Sequence, residues 1–72
     1  MAKIVCIIID EEGKEIERRN VYFFTNLTQA FAKIKQLKQL YQHYEGYYDC
    51  GNSSLSFLNE RGQTVFYNAL AR

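Results

Sequence analysis

Two different spacings of apolar residues divide this chain into segments. A β-branched run, Ile4-Val5-Cys6-Ile7-Ile8-Ile9, lies within residues 3 to 10, and a second extended segment from Glu15 to Phe24 begins polar and ends Val21-Tyr22-Phe23-Phe24. Between them stands Glu11-Glu12-Gly13-Lys14, whose glycine suits the positive φ of a tight hairpin turn. The first 24 residues therefore read as a β-hairpin. From Thr25 the period changes: Leu27, Ala30, Phe31, Ile34, Leu37, Leu40, Tyr41 and Tyr44 recur at steps of three and four, as on an amphipathic helix of roughly 18 residues. Asn26 suits the N-cap, with Gln29 placed to return a hydrogen bond to its backbone N–H as in a capping box. Tyr47 to Cys50 then reads as a short strand, and Ser54 to Asn59 with Thr64 to Leu70 as a hairpin closed by Glu60-Arg61-Gly62-Gln63.

The resulting order, ββα(β)ββ, predicts an α+β domain over residues 1–72: a four- to five-stranded, mainly antiparallel sheet with the helix packed on one face. A β-grasp-like order, with the first strand central and parallel to the last, is left open beside a wholly antiparallel sheet.

Side chains alternate along a strand, so Ile4, Cys6 and Ile8 point one way and Val5, Ile7 and Ile9 the other. Both sets are apolar. The same doubling appears in the second strand, where Val21 and Phe23 oppose Tyr22 and Phe24, and in the last, where Val65 and Tyr67 oppose Phe66 and Leu70. A helix ~27 Å long covers one face of such a sheet and leaves the other bare. The helix-free face is assigned to Ile4, Cys6, Ile8, Tyr22, Phe24, Phe66 and Leu70, and is expected to bind a protein partner or a second copy. A one-residue slip in register would invert that assignment.

At 72 residues and 8.5 kDa the chain is one domain, too small to bury a large core, so outside help for its stability is expected. Cys6 and Cys50 have neither redox-motif nor zinc-ribbon spacing, and the short apolar run at the start is neither a signal peptide nor a membrane span. The chain reads as cytoplasmic, where both cysteines are expected to act as small buried hydrophobes. Oligomerisation, a homodimer first of all, or the binding of a partner is the remaining source of stability expected. With 47 % hydrophobic residues the chain should fold, and its net charge of +1 offers no general attraction to nucleic acid.

Smaller signals are local. Asp10, Glu11, Glu12, Glu15 and Glu17 surround the single Lys14, giving the first hairpin tip a charge of −4, a patch capable of standing in for phosphates before a basic groove, although Arg18 and Arg19 come next and compensate part of it. Six tyrosines without a tryptophan suit a binding surface. Sheet aromatics with Lys33, Lys35 and Lys38 give the alternative, a nucleic-acid-binding module, although no basic surround or RNP-like run accompanies them. His43 is the single histidine and no nucleophile–base pair, metal spacing or phosphate loop is recognisable, so neither catalysis, a cofactor nor a metal is expected. The expected function is a non-enzymatic stoichiometric inhibitor or adaptor. Its candidate contacts are Asp10, Glu11, Glu12 and Glu15 at the tip with Ile8, Tyr22, Phe24 and Phe66 on the sheet. In size and layout the chain resembles the small phage and mobile-element proteins that block host defence, anti-CRISPR proteins included. That resemblance implies a partner that is itself a nucleic-acid-binding complex.

Overall fold

A computed structural model describes residues 1–71. The chain runs β1 (Ala2–Ile9), β2 (Glu15–Phe24), α1 (Leu27–Tyr41), β3 (Tyr48–Asp49), β4 (Ser54–Leu58) and β5 (Thr64–Ala71). The strands form one open sheet in the order β2-β1-β5-β4-β3, with every neighbouring pair antiparallel. The wholly antiparallel arrangement is therefore the one formed: β1 and β5 pair in opposite directions from Ala2–Ala71 to Ile9–Thr64. Strand β1 is interior, as its apolar character requires, and β5 is the middle strand.

The two tight hairpins close on one device. In the first loop Asp10 accepts on Oδ1 from the backbone N–H groups of Glu12 and Lys14, both at 2.9 Å, and in the second Asn59 accepts likewise from Arg61 and Gln63, both at 2.9 Å. The fourth residue of each loop, Gly13 or Gly62, takes a positive φ of 88° or 77°, where a Cβ would be strained.

Asn26 caps α1 from an extended backbone, its Oδ1 accepting from Gln29 N at 3.0 Å. Gln29 returns its bond one residue further back than expected, accepting from Thr25 N rather than Asn26 N. The helix has 15 residues and stops at Tyr41, where Tyr44 N–H donates to the Tyr41 carbonyl in a tighter turn. Its buried stripe is Ala30, Ile34 and Leu37; Leu40 falls off that stripe and is 63 % exposed.

Lateral register shows why the helix chose its face. On the covered side Tyr22, Ile4 and Ala69 align across three strands, as do Phe24, Ala2 and Ala71. The small Ala2 and Ala69 let the helix bring Ile34 down beside Ile4 and Leu55, all three fully buried. Each of these three side chains contributes about 1.5–3 kcal/mol by leaving water. At the same end of the opposite side stand Phe23, Lys3 and Leu70, too bulky and too charged to seat a helix closely.

The face assigned from sequence is thus corrected. Ile4, Cys6, Ile8, Tyr22 and Phe24 do share a face, but it is the covered one, packed in or against the core. Phe66 and Leu70 lie on the opposite, helix-free face, because Phe66 aligns with Ile7 and Leu70 with Lys3. Two equally apolar sets on β1 carry no sign of which one the helix will take; the small residues on β1 and β5 decide it.

Candidate protein-interaction face

Four rows of side chains cross the helix-free face, following the antiparallel pairings. They run Phe23–Lys3–Leu70, Asn20–Val5–Asn68–Ser54, Arg18–Ile7–Phe66–Ser56 and Glu15–Ile9–Thr64–Leu58. The centre is apolar: Ile7 and Phe66 lie side by side, with Ile9 and Val5 on either side of Ile7 along β1. Val5 is only 4 % exposed although it stands outside the helix-packed core, so its own neighbours on this face cover it. Towards the first row the face opens to solvent, with Phe23 65 % and Leu70 38 % exposed. The edge is polar, and Arg18 and Glu15 pair there at 2.8 Å, which holds the Glu15 carboxyl below its usual range. An apolar centre within a polar rim is the anatomy of a protein interface.

Of the acidic tip, Glu11, Glu12 and Glu15 are exposed, and two of the five carboxylates are ion-paired. Asp10 holds the turn, Glu15 pairs with Arg18, and Glu17 pairs with Arg19 at 2.9 Å. Glu11 lies over the neighbouring hairpin, where a Cβ added to Gly62 would meet its Oε2 at 2.7 Å. Glu12 alone of the five acids has its carboxylate in none of these contacts. The structure brings the acidic residues to one end of the sheet, with Glu15 and Glu17 neutralised by the neighbouring arginines and Asp10, Glu11 and Glu12 leaving the tip negative against the single Lys14.

The opposite face holds a second concavity that sequence reasoning missed. Helix α1 spans ~22 Å while the ten residues of β2 span ~33 Å, so the hairpin ends project past the helix. A cleft of about 530 Å³ opens there, floored by Cys6, Tyr67 and Phe57 and walled by Tyr41, Tyr44 and Ile16. Its signal in the sequence was the mismatch of element lengths. Burial pushes the Cys6 thiol up, against a smaller lowering by Arg19, and burial with a hydrogen bond to Tyr41 pushes Tyr67 up as well. Glu17, also in the lining, pairs with Arg19, and most of the remaining apolar lining is aromatic. Tyr41 stacks on Phe57 at 4.2 Å between ring centres, which spends those ring faces on the core.

The residues of the nucleic-acid alternative are dispersed. Tyr22, Phe24 and Tyr67 pack against the core under the helix. Lys33 stands 4.6 Å over the Tyr22 ring, while Lys38, on the far flank, donates to Asp49 Oδ1 at 2.6 Å and to the Gly51 carbonyl. Among the described residues no cluster of three metal-ligating side chains occurs, and no helix is long and apolar enough to cross a membrane. The chain matches no family model, no curated protein and no solved structure.

Proposed function

We propose that the protein is a non-enzymatic protein-binding module, acting in the cytoplasm as a stoichiometric inhibitor or adaptor through the helix-free face of its sheet. One observation carries this: Ile7 and Phe66, in register on the face the helix leaves bare, are half-buried, while Phe23 and Leu70, on either side of Lys3, are exposed at its corner. The exposed pair Phe23→Lys with Leu70→Glu changes this surface without touching the helix-packed core.

The test is affinity isolation from cells of the protein's own source, comparing the wild type with that variant and with Glu11→Lys/Glu12→Lys at the tip. Partners held by the wild type and the tip variant but lost by the face variant are expected. If the face variant keeps every partner and the tip variant loses them, the acidic tip is the binding site and the proposal fails. Association with single-stranded oligonucleotides that weakens steeply with salt would replace it with the nucleic-acid reading.

A further inference from the structure

We infer that residues 48–52 form a strap along the β4 edge of the sheet that opens as a unit of its own, and that Lys38 is the latch that holds it shut. Neither depends on whether the helix-free face binds a partner.

Two fixed points bound the strap. On one side Tyr47 packs against the core, and on the other the Ser53 carbonyl accepts from Ala69 N at 2.7 Å, tying it to the middle strand. Between them no side chain belongs to the apolar core, and Tyr48, Asp49, Gly51 and Asn52 are exposed. Backbone attachment is equally thin: β3 contributes two paired residues, Tyr48 with Ser56 and Asp49 with Leu55, and Cys50 N donates to Ser54 O at 3.1 Å. A segment with little apolar burial and few backbone bonds belongs to the low-stability end of a fold, where local opening precedes global unfolding.

Toward the helix lies a groove of about 560 Å³, lined by Phe31, Ile34 and Lys35 from α1 and by Asp49 and Asn52 from the strap. Lys38 reaches the strap from α1 with its side chain only 17 % exposed. Its ammonium donates to Asp49 Oδ1 at 2.6 Å and to the Gly51 carbonyl, while the same carboxylate oxygen accepts from Gly51 N at 3.0 Å. One ammonium thus engages both ends of the Asp49–Gly51 turn, whose glycine takes a φ of 91°. Hydrogen bonds from a charged group that is largely out of water are the strong ones.

Register carries the effect of the latch to the other side of the sheet. Asp49, opposite the fully buried Leu55, is on the covered side with Lys38. Tyr48, opposite Ser56, stands on the helix-free face at the end of the Ile7–Phe66 row and is 67 % exposed. The closed strap places Tyr48 on that face; opening withdraws it and bares the outer edge of β4.

Residue-resolved amide hydrogen exchange by NMR on the full chain, in low concentrations of urea, tests this. In the wild type the Cys50 amide is expected to exchange at least about tenfold faster than the Ala69 amide and with little dependence on urea, the mark of local opening. Lys38→Met, and separately Asp49→Ala, should speed Cys50 exchange about tenfold or more, the worth of a lost charge-assisted hydrogen bond, while Lys38→Arg stays within about threefold of the wild type. Cys50 exchange that matches Ala69 in rate and in urea dependence overturns the strap as a separate unit. Unchanged Cys50 exchange in Lys38→Met overturns the latch.

Discussion

Asp10 and Asn59 occupy the same position in two different hairpins, each accepting on one side-chain oxygen from the backbone N–H groups two and four residues ahead. Backbone bonds repeat the match: Asp10 N donates to Lys14 O and Gly13 N to Asp10 O, while Asn59 N donates to Gln63 O and Gly62 N to Asn59 O. Because β1 and β5 are antiparallel neighbours, the two loops lie side by side at one end of the sheet. The common pattern, Asp or Asn followed by Glu and, three places on from itself, Gly, is a local solution to one geometric problem found twice.

Removing either anchor should therefore cost a similar amount. Asp10→Ala and Asn59→Ala each leave two loop N–H groups to water and are expected to lower stability by about 1–2 kcal/mol, whereas Asp10→Asn, which keeps the accepting oxygen, should cost much less. Urea unfolding curves for the three variants check this. Gly13→Ala is expected to lose about 1 kcal/mol or more from strain at positive φ.

The seat of the helix is set by small residues. Ala69→Leu adds three carbons beneath α1 at a site that is already closely packed, and should destabilise by about 1–3 kcal/mol or more. Ile34→Ala, which empties space on the other side of the same contact, should cost about 2–5 kcal/mol. Thermal unfolding of both variants is the measurement, with Leu40→Ala, on the exposed side of the helix, as the near-neutral comparison.

Lys38 ties the helix to β3 through Asp49 and to the loop that follows through the Gly51 carbonyl. The Lys38 ammonium, with the Gly51 N–H, holds the Asp49 carboxyl below the usual aspartate range. A carboxylate with a depressed folded pKa stabilises the fold above its unfolded value, near about 4, and loses that contribution as pH falls through the lower folded value. The melting temperature of the wild type should thus exceed that of Asp49→Asn at neutral pH and converge with it in acid. A constant gap down to the most acid pH at which the protein folds would show that the ion pair contributes nothing.

At the other pH extreme the cleft floor is sensitive. Tyr67 and Cys6 both have folded pKa values raised by burial, so their contribution to stability is complete below their unfolded values and is lost as pH rises towards the folded ones. Alkaline destabilisation should begin near pH 9–10, and Tyr67→Phe should lessen its slope. Absorbance of tyrosinate during a base titration should show one of the six tyrosines ionising only as the fold is lost.

Much of the architecture was legible from local chemistry. The strand and helix segments, the Asn26 cap and the two glycine loops follow from β-branched runs, the change of hydrophobic period and turn residues, which act within a few neighbours. The antiparallel order followed once β1 and β5 were seen to pair, a contact between chain ends that no local pattern encodes.

What only the tertiary structure decided was the identity of the two faces. On β1 the sets Ile4-Cys6-Ile8 and Val5-Ile7-Ile9 are equivalent to any measure of hydrophobicity. Their difference arises from what aligns beside them: Ala69 next to Ile4 admits the helix, while Leu70 next to Lys3 turns it away. Charge was instead a local matter: Glu15 pairs with Arg18 and Glu17 with Arg19 within β2, and Asp10 accepts from its own turn, partners only two to four residues away. The sequence by itself determined the elements, because helix, strand and turn propensities are short-range. Which face the helix covers depends on lateral register, which exists only once distant strands have met.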